Sequence, residues 1–374
     1  MAEPGRPTNV HGAAPRDREG GTLAGGSRRA LRSPADPGFD VFCSGTVFLD
    51  IIFTGLETPP ALGTEVWTQG LGSSPGGVAN LAVALSRLGL RTSLASAFGT
   101  DVYGDFCWET LEMQEGIDLS ASRRFAGWHS PLTVSLAYMR DRAMITHGHA
   151  PPVSLGEMIG APPPTRACFV EFGPEPQEWL EHARVQSPVF ADVGWDPTER
   201  WAPEVLRRLG SCYAFLPNDV EAMRYTRTDS SDAALAALAE HVPLAVVTCG
   251  RRGSMAVDNE AGERAYAEGL RVPALDPTGA GDVFSAGFIV GTLAGWPLLH
   301  RLRFANLTAA LSVQHFGGSL SAPCWADVVA WWQVAKATGA ETASRYAFLD
   351  DLLPPAGRST AQRATATIGF RTRG

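Results

Sequence analysis

The chain has 374 residues, of which 45% are apolar and 19% are charged, and its formal net charge is −8. These values are typical of a globular protein long enough for one large α/β domain or two smaller ones. The acidic balance argues against a nucleic-acid-binding surface. No apolar run approaches the length of a membrane span, and no charged start leads into an apolar signal segment. We therefore expect a cytoplasmic protein that binds neither nucleic acids nor membranes.

The cysteines point to the same compartment. They form no CxxC pair, and most lie in apolar surroundings such as DVFCSG and VVTCG. Scattered cysteines of this kind are typical of buried thiols in a reducing compartment, not of a disulfide framework or a zinc site. The six are Cys43, Cys107, Cys168, Cys212, Cys249 and Cys324.

The basic residues are almost all arginine, and Lys336 is the only lysine. A Walker phosphate loop needs a lysine directly after its glycines, and protein kinases need a lysine on a strand. Lys336 lies in VAKATG, which is neither context. Any phosphate chemistry in this protein must therefore rely on backbone amides, arginine side chains and a metal ion.

Both ends of the chain lack apolar periodicity. Residues 1–38 are rich in Gly, Pro, Arg, Ala and Ser, and residues 354–374 carry four arginines and no acidic residue. Such composition predicts disorder. We expect one folded domain over residues 39–353, between a disordered N-terminal tail and a basic, disordered C-terminal tail.

The folded part opens with DVFCSGTVFLDIIF, which predicts a strand, a turn at Gly45 and a second strand that contains Asp50. A carboxylate inside an apolar run is costly to bury without a partner. Asp50 is therefore either a strand-end residue that faces water or a group that binds hydroxyls of a ligand.

Two glycines, Gly76 and Gly77, precede an amphipathic helix that we expect to start near Asn80 and to end at Gly89. A glycine-rich loop that leads into a capped helix is common. These residues alone are therefore weak evidence of a site.

A small sheet apart from the main one is predicted by an alternating hairpin within residues 125–150, with its turn at Arg140–Arg142. Strands near residues 47–54 and 65–71 would complete it. Between them, WETLEMQEGIDL predicts a helix that ends at Gly116.

From residue 160 onward, strands and helices alternate. ACFVEF, PVFADVG, YAFLP and LAVVTCG read as strands, with helical stretches between them. This alternation predicts an α/β fold with a mostly parallel sheet and helices on both faces. A hairpin of GSMAVDN and ERAYAEG, a short strand RVPAL and further helices follow.

The stretch after RVPAL reads DPTGAGDVFSAG. A turn with Gly279 and Gly281 leads into an apolar helix, and Asp282 lies in its first turn. Unpaired N–H groups at the positive end of a helix dipole suit a phosphate group in transfer, and Asp282 can accept a proton from the attacking nucleophile. An ordinary helix start with an acidic first turn has the same composition, so this stretch alone leaves both interpretations open.

Two further stretches suit a nucleotide. Asn218 and Glu221 lie three residues apart at a helix start directly after a strand. They form either a capping box or, at the carboxyl edge of a parallel sheet, a pair that holds hydrated Mg²⁺ and phosphates. VVTCGRRG ends a strand in Thr248, Gly250 and Gly253, a flexible loop that a ligand can approach closely.

Together these stretches are similar to the motifs of the ribokinase family, the PfkB-type carbohydrate kinases. DPTGAGDVFSAGF resembles the C-terminal signature of the family, PNDVEA its NxxE motif, VTCGRRG its TxGxxG nucleotide loop and VFLD its N-terminal strand. GWDPTERW also looks like bacterial sugar-kinase members. The resemblance covers about residues 39–340. It implies a ribokinase-like α/β fold with a small β-sheet lid, ATP and Mg²⁺ as cofactors and, in many members, a monovalent cation such as K⁺.

The resemblance also implies a mechanism. Asp282 would accept the proton of the acceptor hydroxyl during in-line transfer. The backbone amides of Gly279, Ala280 and Gly281 would stabilise the charge that builds on the phosphoryl group.

The remaining implied roles concern binding. Mg²⁺ would be held through water by Asn218 and Glu221. The acceptor would be bound by Asp50, Gly76, Gly77, Asn80, Glu171 and Asp282. ATP would be bound by Asn218, Thr248, Gly250, Arg251, Gly253, Gly281 and Asn306. The monovalent cation would be bound by Asp276, Thr278, Ser312, His315, Gly317 and Ser321.

Two departures from the family motifs bear on the acceptor. The sugar loop of the family is usually GGxxxN, whereas this chain has GGVAN, and Phe48 stands where ribose-specific members carry an asparagine. The sequence therefore implies phosphorylation of a hydroxyl group of a sugar-like small molecule without naming the sugar.

Other functions stay open. A nucleoside kinase of the same fold could line a base pocket with Phe48, Trp67 or Trp128. A catalytically silent sugar or nucleotide sensor is disfavoured by the intact Asp282, and a nicotinamide enzyme by the absence of GxGxxG after the first strand. The lid could also form a homodimer, because its exposed apolar face would need cover.

Overall fold

The computed structural model describes residues 33, 35–138, 141–172, 177–196 and 198–353. Of the two predicted tails, only residues 33 and 35–38 fall within these ranges, so the disorder of the tails stays a prediction. The predicted hairpin turn at Arg140–Arg142 also lies partly outside the described residues.

The strands and helices follow the predicted alternation. In chain order, the strands of the described residues are β1 (Phe39–Ser44), β2 (Val47–Leu56), β3 (Gly70–Gly77), β4 (Thr92–Ala95), β5 (Ala97–Gly99), β6 (Arg123–Phe125), β7 (Leu132–Tyr138), β8 (Asp141–His147), β9 (Thr165–Phe172), β10 (Val189–Val193), β11 (Ala214–Phe215), β12 (Leu244–Thr248), β13 (Gly253–Asp258) and β14 (Glu263–Glu268). The α-helices are α1 (Val78–Arg87), α2 (Val102–Glu109), α3 (Leu155–Ile159), α4 (Trp179–Gln186), α5 (Glu204–Arg208), α6 (Asp219–Thr226), α7 (Ser231–Leu238), α8 (Ala280–Leu293), α9 (Leu298–Ser312), α10 (Trp325–Thr338) and α11 (Ala340–Tyr346).

The main sheet has eight strands in the order β14-β13-β12-β11-β10-β9-β1-β4. Neighbouring strands from β4 to β12 run parallel, and β13 and β14 add to the edge in antiparallel orientation. The mostly parallel sheet is therefore confirmed. The hairpin predicted before residue 276 is the antiparallel edge of this sheet.

Both faces of the main sheet are buried. Along β1, Val41 and Cys43 belong to one apolar layer and Phe42 to the other. Helices α1, α8, α9 and α10 contribute to the first layer, and α4, α6 and α7 contribute to the second. Strands that are buried on both faces require continuous apolar runs, which is why the strand sequences lack a polar face.

A second sheet of four strands has the order β3-β2-β7-β8, and we call it the lid. The predicted hairpin, β7 and β8, is confirmed, and β2 pairs with both β3 and β7. The strand predicted at residues 65–71 is wrong in position, because β3 spans Gly70–Gly77. Gly76 and Gly77 therefore lie in a strand that leads directly into α1, not in a loop. Pairing with β2 overrides the weak strand propensity of this Gly- and Ser-rich stretch.

The strand predicted for RVPAL is wrong. Residues 271–275 form no strand, and the amides of Leu275 and Asp276 donate to the carbonyl of Val313 at the end of α9, at 2.7 and 3.2 Å. Pro273 also lacks the N–H that a sheet ladder needs. The apolar run is therefore held by the end of a helix.

The early helices differ from prediction at their starts. Helix α1 begins at Val78, two residues before Asn80, and Gly89 follows its end with φ of 86°, as predicted. Helix α2 begins at Val102 after the N-cap Asp101, and a π-helical turn at Thr110–Gln114 continues it. The predicted helix starting at Trp108 was therefore placed too late in the chain.

All six cysteines are buried and free, as predicted. Among the described residues, no helix combines the length and the apolar character that crossing a membrane requires.

Candidate active site

The carboxyl ends of parallel strands bring polar side chains to one edge of the main sheet. Glu171 on β9 is in register with Asp192 on β10. Asn218 follows β11 and bridges to Thr248 at the end of β12. Because ligands of open α/β sheets bind outside the carboxyl ends of the strands, this edge is a candidate binding crevice.

The turn before α8 has the shape of an anion-binding loop. Gly279 is the N-cap with φ of 75°, a left-handed conformation that favours glycine. The amide of Ala280 already donates to the carbonyl of Pro277 at 3.2 Å, which leaves the amides of Gly279 and Gly281 as candidate donors to a ligand. A Cβ at Gly281 would meet no atom within 4 Å, so there is open space at this position.

The predicted base, Asp282, is in contact with the helix that follows the lid. The Nδ2 of Asn80 on α1 donates to the Oδ2 of Asp282 at 3.1 Å. The two residues are 202 positions apart, and Asn80 is only 4% exposed. A Cβ at Gly279 would lie 3.0 Å from the Cγ of Asn80, so the loop needs glycine for this close approach as well. A residue predicted to bind the acceptor substrate, Asn80, is thus hydrogen-bonded to the predicted base, Asp282.

Asp50 lies on the lid beside the two predicted glycines. It is 4% exposed, so it does not face water as a strand-end residue would. A Cβ at Gly76 would collide with the Asp50 carboxylate, and Gly77 has φ of 61° at the junction of β3 and α1. Steric constraints therefore favour glycine at both positions, and the absence of a side chain at Gly76 makes room for the Asp50 carboxylate.

Glu171 connects the main sheet to the start of the lid. Its Oε2 accepts the N–H of Thr46 at 3.2 Å, and a Cβ at Gly45 would lie 2.8 Å from the same oxygen. Desolvation raises the pKa of Glu171, and the hydrogen bond from Thr46 opposes that rise. A carboxyl group with a raised pKa at a crevice is a candidate functional group.

Asn218 and Glu221 form a capping box at the start of α6. The Oδ1 of Asn218 accepts the N–H of Glu221 at 2.9 Å, and the Oε2 of Glu221 accepts the N–H of Asn218 at 3.1 Å. Burial raises the pKa of Glu221 to about 7, the hydrogen bonds from Asn218 lower it, and the charges of Asp282 and Asp219 raise it further. The structural interpretation of this pair is confirmed, and the charge of Asp282 is one of the causes that raise the pKa of Glu221.

Asp192 is a candidate site residue that the sequence analysis missed. Desolvation raises its pKa well above the ordinary value, and the charges of Glu221, Asp282 and Glu171 contribute to the rise. It ends the strand PVFADVG as Glu171 ends ACFVEF. A carboxylate at the end of a predicted parallel strand was the signal that could have identified it.

The predicted nucleotide loop follows β12. Gly250 has φ of 53° and Gly253 has φ of 102°, and a Cβ at Gly253 would collide with the carbonyl of Ala267 on β14. Gly253 is thus required by the β13–β14 hairpin itself, and Arg251 is exposed. Asn306 on α9 donates to the carbonyl of Ala267 at 3.0 Å, which places it against the same hairpin.

The residues proposed for the monovalent cation lie on two segments, 276–278 and 312–321, that hydrogen bonds join. Buried Asp276 accepts the N–H of Thr278 at 2.9 Å and the N–H of Gly317 at 3.2 Å. The hydroxyls of Ser312 and Ser321 donate to nearby carbonyls, and the side chain of His315 is exposed. Within the described ranges, no group of three or more His, Cys, Asp and Glu side chains is arranged to hold a metal ion.

Comparison with family models gives one match. The model of the pfkB family carbohydrate kinases matches residues 40–147 and 177–325, which include all elements of the candidate site except Glu171.

Known proteins with similar sequences or structures include kinases of two acceptor classes. A nucleoside kinase of Methanothermobacter thermautotrophicus is 30% identical over 263 residues, which are 68% of this chain and 82% of the relative. The ribokinase of Arabidopsis thaliana complexed with ribose and ATP has a TM-score of 0.65 at 23% identity, covering 79% of this chain and 98% of the other. The nucleoside kinase of Methanocaldococcus jannaschii has a TM-score of 0.64 at 22% identity, with coverages of 79% and 98%.

Proposed function

Because the chain belongs to the pfkB family of carbohydrate kinases, we propose that it transfers the γ-phosphoryl group of ATP to a hydroxyl group of a sugar-like small molecule through the site around Asp282. The protein is a phosphotransferase with an alcohol group as acceptor.

The observation that carries the proposal is the hydrogen bond between Asn80 and Asp282. It joins the glycine-dependent turn before α8, which has the geometry of a phosphate site, to the helix that continues from the lid. A hydroxyl held beside Asp50 and Asn80 would lie next to a carboxylate that can take its proton. A phosphoryl group bound at the start of α8 would lie near the backbone amides of Gly279 and Gly281, which could stabilise its negative charge.

The sheet edge fits a magnesium–nucleotide complex. Glu221 and Asp192 are carboxylates that influence each other electrostatically, and Asn218 adds an amide beside them. Mg²⁺ favours a few carboxylate oxygens together with water and substrate phosphates, and when bound it neutralises charge on the phosphates. We assign Asn218, Glu221 and Asp192 to that position, Thr248, Gly250, Arg251 and Gly253 to the phosphates and ribose, and Asn306 to the adenine side.

A monovalent cation is the less firmly supported cofactor. The donors would be mainly backbone carbonyls of segments 276–278 and 312–321 with the Asp276 carboxylate, since the Ser312 and Ser321 hydroxyls already donate to carbonyls. The proposed cation site is tested by comparing kinase activity in a K⁺ salt with activity in a salt of a large organic cation at the same ionic strength. Equal rates in both salts would remove the assignment.

A panel of acceptors tests the proposed activity. We expect ATP consumption that depends on an added sugar, a cyclitol or a nucleoside, measured by ADP release. ATP consumption that no acceptor stimulates would contradict the proposal and would favour a non-catalytic binding protein.

A nucleoside kinase is the second candidate. The relative at 30% identity carries that name, and its alignment spans 68% of this chain. Of the aromatic residues that could line a base pocket, Phe48 is half-buried on β2 and Trp67 is 85% exposed. Trp128 packs edge-on against Phe125 and donates to the carbonyl of Ala150. The same acceptor panel separates the two candidates.

We also propose that the lid forms a homodimer. Its outer face presents half-buried Phe53, Val134 and Leu136 and the 64% exposed Ile145. A contiguous apolar sheet face of this kind is typical of an interface. Sedimentation should show a dimer that Ile145→Lys converts to monomers, whereas Val185→Lys, at an 81% exposed position of α4, should not. A wild-type monomer at micromolar concentration would reject the dimer.

The cytoplasm is the proposed location, because six free and buried cysteines suit a reducing compartment. Fractionation of the native host tests it.

A further inference from the structure

A cavity of about 540 Å³ lies behind the predicted nucleotide loop, between the start of α7 and the β13–β14 hairpin. Met255 on β13 is in register with Tyr266 on β14, so both side chains lie on one face of the sheet. Met255 packs against the apolar layer to which α7 contributes, whereas the neighbouring Ala256 belongs to the layer of α8 and α9. The cavity is therefore on the opposite face of the sheet from α9, which carries Asn306. The residues that line it include Asp232, Cys249, Arg252, Met255, Arg264 and Tyr266.

The cavity combines apolar side chains with one aromatic ring that is held in place. Cys249 is buried and Met255 is half-buried. Tyr266 is 55% exposed, and its hydroxyl donates to the carbonyl of Arg252 at 2.6 Å, which fixes the ring against the loop. Small-molecule sites typically have volumes of about 300–1,000 Å³ and combine apolar walls with a few fixed polar groups. The exposed ring of Tyr266 offers a stacking surface to a planar ligand.

Two arginines from different elements reach this cavity. Arg252 belongs to the loop after β12 and Arg264 to β14, and their side chains are 65% and 57% exposed. The Nη2 of Arg264 donates to Asp232 on α7 at 2.8 Å, and the Nη2 of Arg252 donates to Asp219 on α6. Among the described residues, no other nitrogen of either guanidinium has a hydrogen-bond partner. Both side chains therefore keep N–H donors for a ligand.

The charges of the cavity favour an anion. Its lining carries two arginines and one aspartate, a net charge of +1, in a chain whose net charge is −8. The planar fork of N–H groups on a guanidinium matches the oxygens of a phosphate group. A phosphate that bound both Arg252 and Arg264 would connect the nucleotide loop to β14.

We propose that this cavity is a regulatory site for a small aromatic phosphate monoester, with the phosphate bound by Arg252 and Arg264 and the ring stacked on Tyr266. The site itself stands apart from the proposed kinase function, whereas its regulatory effect rests on that function. It is distinct from the ATP position, because the sheet separates it from the α9 side.

The regulatory effect follows from the contacts of Arg252. This residue lies in the loop 250–253 that we assign to ATP, and Asp219, its partner, directly follows Asn218 of the capping box. A phosphate on Arg252 competes with Asp219 for the guanidinium. The Asp219 carboxylate then loses its positive neighbour beside the position proposed for the ATP phosphates, which should weaken ATP binding.

Calorimetric titration with phenyl phosphate tests the site, in saturating magnesium and a non-hydrolysable ATP analogue so that the ATP site is filled. We expect wild type to bind phenyl phosphate more tightly than inorganic phosphate, which lacks the ring. Arg264→Gln should weaken binding about tenfold or more, because it removes a charged donor. Asp232→Asn should tighten binding, because the carboxylate that competes for Arg264 is gone. The matched control is Arg184→Gln, which removes an exposed arginine paired with Glu181 on α4 and should leave binding unchanged.

Kinetics test the coupling to ATP. Saturating phenyl phosphate should raise the KM of ATP about fivefold, and the ATP analogue should raise the Kd of phenyl phosphate by the same factor, because coupling between two sites is reciprocal. In Arg264→Gln the same concentration of phenyl phosphate should leave the KM of ATP unchanged. Tyr266→Phe keeps the ring but removes the hydroxyl that holds the loop, so it should bind phenyl phosphate and transmit a smaller rise.

The outcomes separate the site, its effect and the kinase function. Absence of binding, equal binding by wild type and Arg264→Gln, or complete displacement of phenyl phosphate by the ATP analogue would overturn the site. Binding that depends on Arg264 but leaves the KM of ATP unchanged would overturn the regulatory role. Binding that depends on Arg264 in a protein that consumes no ATP with any acceptor would keep the site and contradict the proposed kinase function.

Discussion

The two halves of the candidate site differ in how their polar groups are satisfied. On the phosphate side, Asp276 holds two backbone amides, and Asn218 and Glu221 cap each other. On the lid side, the hydroxyls of Ser74 and Ser135 have no partner among the described residues. Most of the polar groups named on the phosphate side are thus already paired, although the buried Thr278 hydroxyl is not, whereas two buried hydroxyls of the lid lack partners among the described residues.

This difference has a functional consequence. A phosphoryl-transfer site works by positioning and by fixed dipoles, which requires a rigid arrangement before the substrate arrives. An acceptor site can leave polar groups unpaired until the acceptor binds. Substitutions on the phosphate side should therefore change turnover or stability, and substitutions on the lid should change the acceptor KM.

The largest effect is expected at Asp282. Asp282→Asn removes the proton acceptor and should lower kcat by about 100-fold or more while ATP binding persists, measured by ADP release and by calorimetry. The control is Asp105→Asn, which removes an exposed first-turn acid of another helix. Near-normal turnover of Asp282→Asn would show that Asp282 is not the base and is only an acidic residue in the first turn of a helix.

The next largest effect is expected at Arg87, a buried residue that holds the segment around Leu320 in place on the phosphate side. Arg87 pairs with Glu115 at 2.7 Å, with both side chains at most 5% exposed, and also donates to the carbonyls of Leu320 and Ala322. Arg87→Met should lower the free energy of unfolding by about 3–5 kcal/mol, because it leaves a buried carboxylate unpaired. In chemical denaturation the exposed pair Arg184–Glu181 is the control, and Arg184→Met should change stability by less than about 1 kcal/mol. Equal losses of stability in both variants would show that the buried ion pair contributes no more than the exposed one.

Glu221 should make stability depend on pH. Its folded pKa of about 7 lies above the ordinary 4.5, so the folded state binds the extra proton between these values. The corresponding stability is present below about pH 4.5 and is lost as pH rises through 7, by up to about 3 kcal/mol. Glu221→Gln keeps an acceptor for the capping box and should therefore be more stable than wild type at pH 8 but not at pH 4.5.

Denaturant titrations of both proteins across this pH range measure the difference. Magnesium–ATP affinity of the wild type should change in the opposite direction, rising between pH 6 and 8 as the carboxylate ionises. A stability difference that is constant with pH would contradict the raised pKa.

Gly279 tests the rigidity of the phosphate loop. Gly279→Ala places a side chain at φ of 75° and 3.0 Å from Asn80, and should lower the free energy of unfolding by about 1–2 kcal/mol and also reduce kcat. Gly281→Ala is the control for stability, because its Cβ meets nothing within 4 Å. If both variants unfolded at the same midpoint, the left-handed turn would not be the strained element.

The smallest change in stability is expected on the lid. Gly76→Ala would place a Cβ 2.0 Å from an oxygen of the buried Asp50 carboxylate and displace it, which should raise the acceptor KM about tenfold with a loss of stability no larger than that of Gly279→Ala. A large loss of stability without a change in acceptor KM would show that the lid is as rigid as the phosphate side, which would break the contrast between the two halves.

Prediction from sequence succeeded where the physical cause is local. The capping box of Asn218 and Glu221 and the turn at Gly279 that leads into a helix depend on residues within one turn of chain, and both are as expected. It failed for RVPAL and for the start of β3 because strand formation needs a neighbour, and the neighbour is not visible in a local window. Asp192 was missed for a similar reason, since its pKa is raised by burial within the folded protein and by the charges of Glu221, Asp282 and Glu171, which are distant in sequence.

The sequence by itself indicated an α/β fold, a glycine-containing turn followed by an acid in the first turn of a helix, and a single lysine that lies in neither phosphate-binding context. Backbone preferences, capping and apolar periodicity act over a few residues, so a single chain displays them directly. Only the tertiary structure decided that Asn80 reaches Asp282 across 202 positions and that Ser74 faces inward while Ser73 faces outward. Strand register and packing decide such matters, because a shift of one residue would exchange the two faces of the lid.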